Sequence, residues 1–328
     1  MISLTSTSRQ PVRQPWTLDK LVHQRSIMLG LSIDESTLSS YSSALNSYIT
    51  FCRLHNFPID PTPDTLSFYA TYMSHHIKPA SVSTYLSGIA NQLEVYYPDV
   101  CQARKSPLVV RTLQGCKCLK GSPITRKLPL SIPTLTRILS SLDHSQTHDD
   151  LLFCAMICTG LYGLLRLGEL SYPDNPRLRN PEKLSRPSSV TFPTPGTYAF
   201  MLPCHKTDPF FEGSHIHIRC LIHNAPDPLP HFTSYLASWD HLFPFNRELW
   251  LCKNGSVPTR SFFIKRLRLY CDKSVAGQSM RAGGATALAE AGVSPDIIQA
   301  IGHWSSETWH IYVHKNPVLI QALLFPSP

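Results

Sequence analysis

GQSMRAGGATALAEAGVSPDIIQAIGHWSSETWHIY, residues 277–312, sets an arginine (Arg281), a histidine (His303) and a tyrosine (Tyr312) on consecutive short helical segments. Ser279 reads as the N-cap of a first helix that runs to Ala291, with Gly292 where a C-cap glycine ends it. Ser294 and Pro295 open a second helix that runs to Ile301, and Gly302 ends that one. His303 therefore falls at a helix end, outside a core. Taken singly, each residue has an ordinary reading: an arginine on a solvated face, a histidine packed beside Trp304, a core tyrosine.

A second stretch sharpens the first. TGLYGLLRLGEL, residues 159–170, closes an apolar run that begins at Leu151, and Arg166 emerges directly from it. A guanidinium leaving an apolar helix is costly unless it is paired or bound to an anion. Glu169 supplies one partner, and a phosphate would be another. The run itself is interrupted by Gly160 and Gly163 and then meets Arg166 and Glu169, so it reads as a buried core helix and not as a membrane span.

Together the two stretches resemble the tyrosine recombinases, the integrase family that cuts DNA through a phosphotyrosine link. TGLYGLLRLGEL is similar to that family's Thr-Gly, Leu-Arg-x-x-Glu-Leu motif, and Arg281, Gly302-His303 and Tyr312 are similar to its His-x-x-Arg, Gly-His and Tyr signature. The resemblance implies Arg166 and Arg281 on the scissile phosphate, His303 donating to the same group, and Tyr312 as nucleophile. One position departs from the pattern: Gln278 stands where the family has its first histidine. The GHWSSETWHIY and RAGGAT wording looks like recombinases of eukaryotic mobile elements, Crypton- or DIRS-like.

Length and charge agree with a nucleic-acid partner. The 328 residues suit about two domains, and the net charge of +8 is carried by a chain only 16% charged. Between residues 100 and 142 lie Arg104, Lys105, Arg111, Lys117, Lys120, Arg126, Lys127 and Arg137, with no acid among them. Such a block faces a polyanion or is a solvated linker. Ten cysteines are too sparse for a small secreted disulfide scaffold, and the N-terminus has no apolar signal core, which favours a reducing intracellular compartment, the nucleus for this family.

Before the basic block, periodicity predicts helices. Leu38, Tyr41, Leu45, Tyr48 and Cys52 form one stripe, Leu66, Tyr69 and Met73 a second after Thr62-Pro63, and Val82, Leu86, Ile89 and Leu93 a third after Pro79. The opposite face of the third helix carries Ser81, Ser83, Thr84, Ser87, Asn91 and Gln92, short groups that suit a phosphate backbone or plain water. The arrangement is similar to the family's small helical, SAM-like core-binding domain. The expected division is a disordered tail over 1–16, a helical DNA-binding domain over 17–121, a linker over 122–133 and a catalytic domain over 134–328.

Within the catalytic domain, SSVTF, TYAFMLP and HIHIRC read as three strands. Lys206 follows the second. A turn lysine is ordinarily solvated, but the resemblance implies a general acid on a hairpin at this place. Cys204, His205, His215, His217, Cys220 and His223 carry zinc-type side chains, yet no second tight pair completes a site, so no metal and no cofactor are expected. The basic helix with Arg260, Lys265, Arg266 and Arg268 lies on DNA or faces solvent, and the apolar segment NPVLIQALLFP packs at home or docks on a neighbouring protomer.

The expected fold is therefore mainly α with a small antiparallel β-sheet, an all-helical core-binding domain followed by an α+β catalytic domain. The expected activity is breakage and rejoining of duplex DNA through a 3′-phosphotyrosine, with self-association as dimer or tetramer and no membrane. A protein that keeps the fold and binds DNA without cleaving it, because of Gln278, is the alternative. A topoisomerase of the same chemistry ranks third.

Overall fold

The computed structural model describes residues 13–122, 126–144, 147–203 and 213–304. The chain divides into two compact units, Met1–Ile124 and Thr125–Pro328.

Among the described residues the first unit is entirely helical: α1 (Leu18–Leu31), α2 (Glu35–Leu54), α3 (Pro63–Met73), α4 (Pro79–Leu93), α5 (Val100–Lys105) and α6 (Pro107–Lys120). Prolines at the first turns of α3, α4 and α6 set these starts, since a proline there loses no intrahelical bond. Thr62 and Ser106 cap α3 and α6 by accepting from Thr65 and Val109 N–H. The core is Tyr48, Phe51 and Cys52 of α2, Leu66 and Tyr69 of α3, and Val82, Leu86, Ile89 and Leu93 of α4. Leu38 is exposed, because the buried face of α2 runs through Ala44 and Tyr48 instead. Gly88 lets α4 approach α2: a Cβ there would lie 2.9 Å from the Tyr41 ring and 3.0 Å from its Cα. Helix α1 keeps Leu18, Val22, Met28 and Leu29 in contact with solvent.

The second unit contains α7 (Ile132–Leu142), α8 (His148–Tyr162), α9 (Leu167–Leu170), β1 (Thr197–Leu202), β2 (Ser214–Arg219), α10 (Pro228–Leu242), α11 (Arg260–Leu267), α12 (Ser279–Glu290) and α13 (Pro295–Ile301). It begins before α7: Leu128 N–H donates to Ser274 O at 2.8 Å and Leu130 N–H to Ser279 O at 2.9 Å. The later half of the stretch expected as linker is thus bonded into this unit. Helix α8 is buried on nearly every side and forms its axis, against which α7, α10 and α12 pack. Phe153 packs on Phe263, the Thr159 hydroxyl hydrogen-bonds with that of Tyr198 on the hairpin at 2.8 Å, and Phe200, Phe232, Tyr235 and Trp250 belong to the same core. Tyr198 stacks on Phe232 at 4.0 Å, and the Tyr235 hydroxyl accepts from Leu251 N–H while donating to Leu249 O. No helix among the described residues is long and apolar enough to cross a membrane.

The sheet has two strands, antiparallel, with Ala199 opposite His217 and Phe200 opposite Ile216. The expected third strand, SSVTF, is instead a single turn of 3₁₀ helix at Pro187–Ser189 followed by one bridge, Thr191 to Ala199. Pro187 and Pro193 bracket it and lack the N–H groups a ladder needs, and the Ser189 hydroxyl accepts Met201 N–H in place of a carbonyl. Helix α11 ends at Leu267, so Arg268 of the expected basic helix falls at its C-cap.

Burial holds the neutral forms of several core acids and predicts an alkaline limit. Desolvation pushes the Cys154 thiol up to about 12 and that of Cys252 to about 11, with nearby Asp150 and Asp149 adding to it. These groups favour the folded state fully below the unfolded thiol's pKa of about 8.5 and lose that contribution as pH rises through the folded values. The thermal midpoint of the protein is expected to fall progressively above about pH 9. A midpoint constant between pH 8 and 11 would contradict this placement of Cys154 and Cys252.

Candidate active site

Arg166 sits at a helix junction made by an unusual turn. Helix α8 ends at Tyr162, Gly163 caps it, and Leu164 takes a left-handed conformation, φ 50°, while Leu165 N–H closes back on Gly160 O at 3.0 Å. That geometry ordinarily takes glycine, and a β-carbon in it costs about 1–2 kcal/mol. Full burial of the Leu164 side chain offsets the cost. Gly163 leaves little room for a side chain, since a Cβ would stand 2.9 Å from the Thr159 carbonyl oxygen and 2.6 Å from Ile218 Cδ1. Arg166 is therefore not the last residue of the long helix but the N-cap of the short α9. Glu169 grips it twice, Oε2 accepting the backbone N–H at 2.7 Å and Oε1 the Nη1 at 2.8 Å. A third of the Arg166 side chain remains exposed, so the ion pair orients the guanidinium without covering it.

Arg281 lies in the first turn of α12 and is 4% exposed. Its Nη2 donates to Gly302 O, and its guanidinium carbon stands 4.5 Å from the Trp304 ring centroid. The end of α13 departs from the sequence reading in an instructive way. Gly302 keeps a right-handed conformation, φ −79°, and the left-handed residue is His303, φ 48°. Trp304 N–H completes the turn by donating to Gln299 O at 3.2 Å. Gly302 is glycine for another reason: a Cβ there would fall 2.4 Å from two atoms of the Trp304 ring. Gly292, by contrast, is left-handed, φ 78°, as a C-cap glycine should be.

Gln278, not Ser279, is the N-cap of α12, and it is exposed with no side-chain cap bond. Ser279 is buried, its hydroxyl accepting Ala276 N–H at 2.8 Å. Gly277 packs on Leu167, where a Cβ would meet Cδ2 at 2.6 Å, which sets Gln278 beside the turn that follows Arg166.

Three segments are joined by a small apolar cluster of Leu164, Ala285, Leu288, Ala289, Ile298 and Trp304. It ties the turn before Arg166 to α12, which carries Arg281, and to the end of α13, which carries His303. Glycine makes the approach close: Gly160 faces Met280, and Gly284 faces the Leu161 carbonyl. Lys206 and Tyr312, with Cys204 and His205, lie outside the described residues, as does the segment 316–326. His215 and His217 occupy the exposed side of β2, and no group of three metal-binding side chains occurs among the described residues.

The basic residues fall into two kinds. In the first unit Lys105, Arg111 and Lys117 are exposed, Arg104 Nη2 donates to Ser87 Oγ on the polar face of α4 at 2.6 Å, and Lys120 Nζ lies 2.9 Å from His75 Nδ1. In the second unit Arg126 is exposed and Lys127 donates to Lys273 O. On α11, Arg266 pairs with Asp150 and lies 3.8 Å from Asp149, while Arg268 donates to the Asp272 and Val275 carbonyls. Those two half-buried arginines are engaged within the unit, whereas Arg260 and Lys265 face solvent. Tyr270 stacks on Phe153 at 6.4 Å, so its ring is engaged in the core. Trp304 is the residue sequence reasoning passed over. The small residue two positions before it was the one available signal, and it was readable equally as a helix stop.

No protein-family model matches the chain, and no curated protein sequence does. Solved structures do match in fold. A XerH site-specific recombinase bound to palindromic difH substrate, in a post-cleavage complex, is 17% identical with a TM-score of 0.59, over 88% of this chain and 79% of that one. A lambda integrase dimer bound to a COC′ core site is 15% identical with a TM-score of 0.57, over 90% of this chain and 94% of that one. The Tn1549 transposon integrase in complex with transposon right end DNA is 16% identical with a TM-score of 0.57, over 90% and 92%. In its fold, the chain is similar to these site-specific recombinases and integrases.

Proposed function

We propose that the protein is a tyrosine recombinase that breaks and rejoins duplex DNA through a 3′-phosphotyrosine. The observation that carries the reading is one apolar cluster that joins the three segments carrying Arg166, Arg281 and His303, in a fold similar to that of site-specific recombinases. Two guanidiniums hold the nonbridging oxygens of a phosphodiester and stabilise the charge that builds up during in-line displacement. His303 donates to the same group. The Tyr312 hydroxyl gives its proton to solvent water as its oxygen attacks phosphorus, and the 5′ oxygen leaves with a proton from Lys206. Rejoining reverses these steps, the 5′ hydroxyl returning its proton as it displaces the phenolate, so no ATP is consumed.

Lys105, Arg111, Lys117 and Arg104 on the first unit and Arg126 and Lys127 on the second are assigned to the DNA backbone, a role in keeping with the DNA-bound state of the similar structures. Assembly as a dimer or tetramer on DNA, with the C-terminal segment docking on a neighbour, and an origin in a nuclear mobile element of Crypton or DIRS type belong to the same proposal. Incubation with nicked duplex in EDTA is expected to leave protein covalently attached at a 3′ phosphate, and proteolysis should recover the DNA on the peptide containing Tyr312. DNA binding without an adduct would favour the non-cleaving alternative, and a linked peptide lacking Tyr312 would move the nucleophile.

A further inference from the structure

The mechanism above uses Arg281 and His303 but leaves Trp304 without a role, and the residues around it are arranged for that ring. Trp304 is 6% exposed. Gln299 fixes its backbone from both sides, the carbonyl accepting its N–H and Nε2 donating to its carbonyl, each at 3.2 Å. Gly302 leaves room for the ring, and the ring in turn lies against the Arg281 guanidinium, which also donates to Gly302 O. A guanidinium has rotatable bonds along its whole stem, and a buried one must be aimed to hold a phosphate in a bidentate way. A flat aromatic face on one side and a carbonyl on the other fix both the plane and the tilt.

We infer that Trp304 is a positioning residue, whose indole face, wedged over Gly302, aims the Arg281 guanidinium at the bound phosphate. The apolar body of the same ring packs with Leu164 and Ile298, so one side chain registers Arg281 against the turn before Arg166 and against the turn that carries His303. The attraction is electrostatic, from the negative face of the ring, and is strongest where water is excluded. This inference rests on the proposed function for the identity of the phosphate as DNA.

The test is a double-substitution cycle on the full chain, read first as affinity for a nicked duplex at fixed salt and second as the rate of adduct formation in EDTA. Trp304→Leu is expected to weaken binding by about ten- to thirty-fold, the range of a desolvated cation–π contact. Added to Arg281→Ala, it should cost nothing further, because its effect passes through Arg281. Independent losses that add would overturn the inference. Where Trp304→Leu fails to fold, site-specific replacement of Trp304 by fluorinated tryptophans keeps the shape and drains the ring face of charge. Affinity is expected to fall stepwise with fluorination, and an unchanged affinity would reduce Trp304 to packing. Coupled affinities without an adduct from any variant, wild type included, would strike the cleavage reading and leave the positioning role standing.

Discussion

Gly284→Ala is expected to destabilise the second unit by about 3–5 kcal/mol, the upper end of what one core substitution does. The added Cβ would stand 2.0 Å from the Leu161 carbonyl oxygen and 2.5 Å from Leu164 Cδ2. Side-chain rotation does not relieve a clash with backbone, so α12 must withdraw from α8 by about 1 Å or more to reach ordinary contact distance. Against a domain stability of about 5–15 kcal/mol this is a large share, and the thermal midpoint should drop by about 10 °C.

Gly115→Ala is the internal control. Gly115 lies within α6 with nothing within 4 Å of its added Cβ, so alanine there is expected to raise stability by up to about 1 kcal/mol. Equal midpoints for the two variants would mean that α12 and α8 do not approach as described. The clash also bears on chemistry, because Arg281 is one turn before Gly284 on the same helix. Withdrawing α12 moves Arg281 relative to Arg166, and a misplacement of about 1 Å can cost about 10²-fold in rate.

The same glycines mark what could be read in the sequence and what could not. Helix starts were legible at Thr62-Pro63, where the hydroxyl caps and proline opens the first turn, and at Ser294-Pro295, where proline alone does so, because these effects are local. The burial of α8 was legible from the uncharged, largely apolar run that begins at Leu151. The turns that carry Arg166 and His303 were not. Leu164 and His303 adopt backbone conformations their own chemistry disfavours, and tertiary packing on Trp304 and α12 holds them there. Gly302 looked like a helix stop and serves as clearance for an indole, a role set by a residue two positions on. The third strand failed because the prolines around SSVTF outweighed its β-branched content. On α11 no local pattern separates Arg266, paired with Asp150, from exposed Arg260, since the partner lies on α8.

Gln278→His is expected to raise the rate of adduct formation on nicked DNA by about 10²-fold or more, the usual worth of general acid–base help. Glutamine donates and accepts hydrogen bonds but takes no proton, so at this position it can orient a phosphate or a phenol without drawing the proton from one. The site accepts histidine readily. Gln278 is exposed, makes no side-chain cap bond, and has ordinary backbone angles, φ −75° and ψ −13°. The helix N-terminus beneath it carries partial positive charge that disfavours imidazolium, so a histidine there stays neutral and able to accept a proton near pH 7. The gain should therefore appear as pH rises through about 6–7, with duplex affinity unchanged. Gln278→Ala separates the two roles that glutamine can fill: a slower alanine variant means the amide positions the reacting groups, and an equal one means it is a bystander. If wild type forms no adduct and Gln278→His restores none, with Arg166, Arg281 and His303 intact, the protein binds DNA without cutting it. If wild type already cleaves and histidine adds nothing, the proton on Tyr312 leaves by another route and the missing histidine was never the limit.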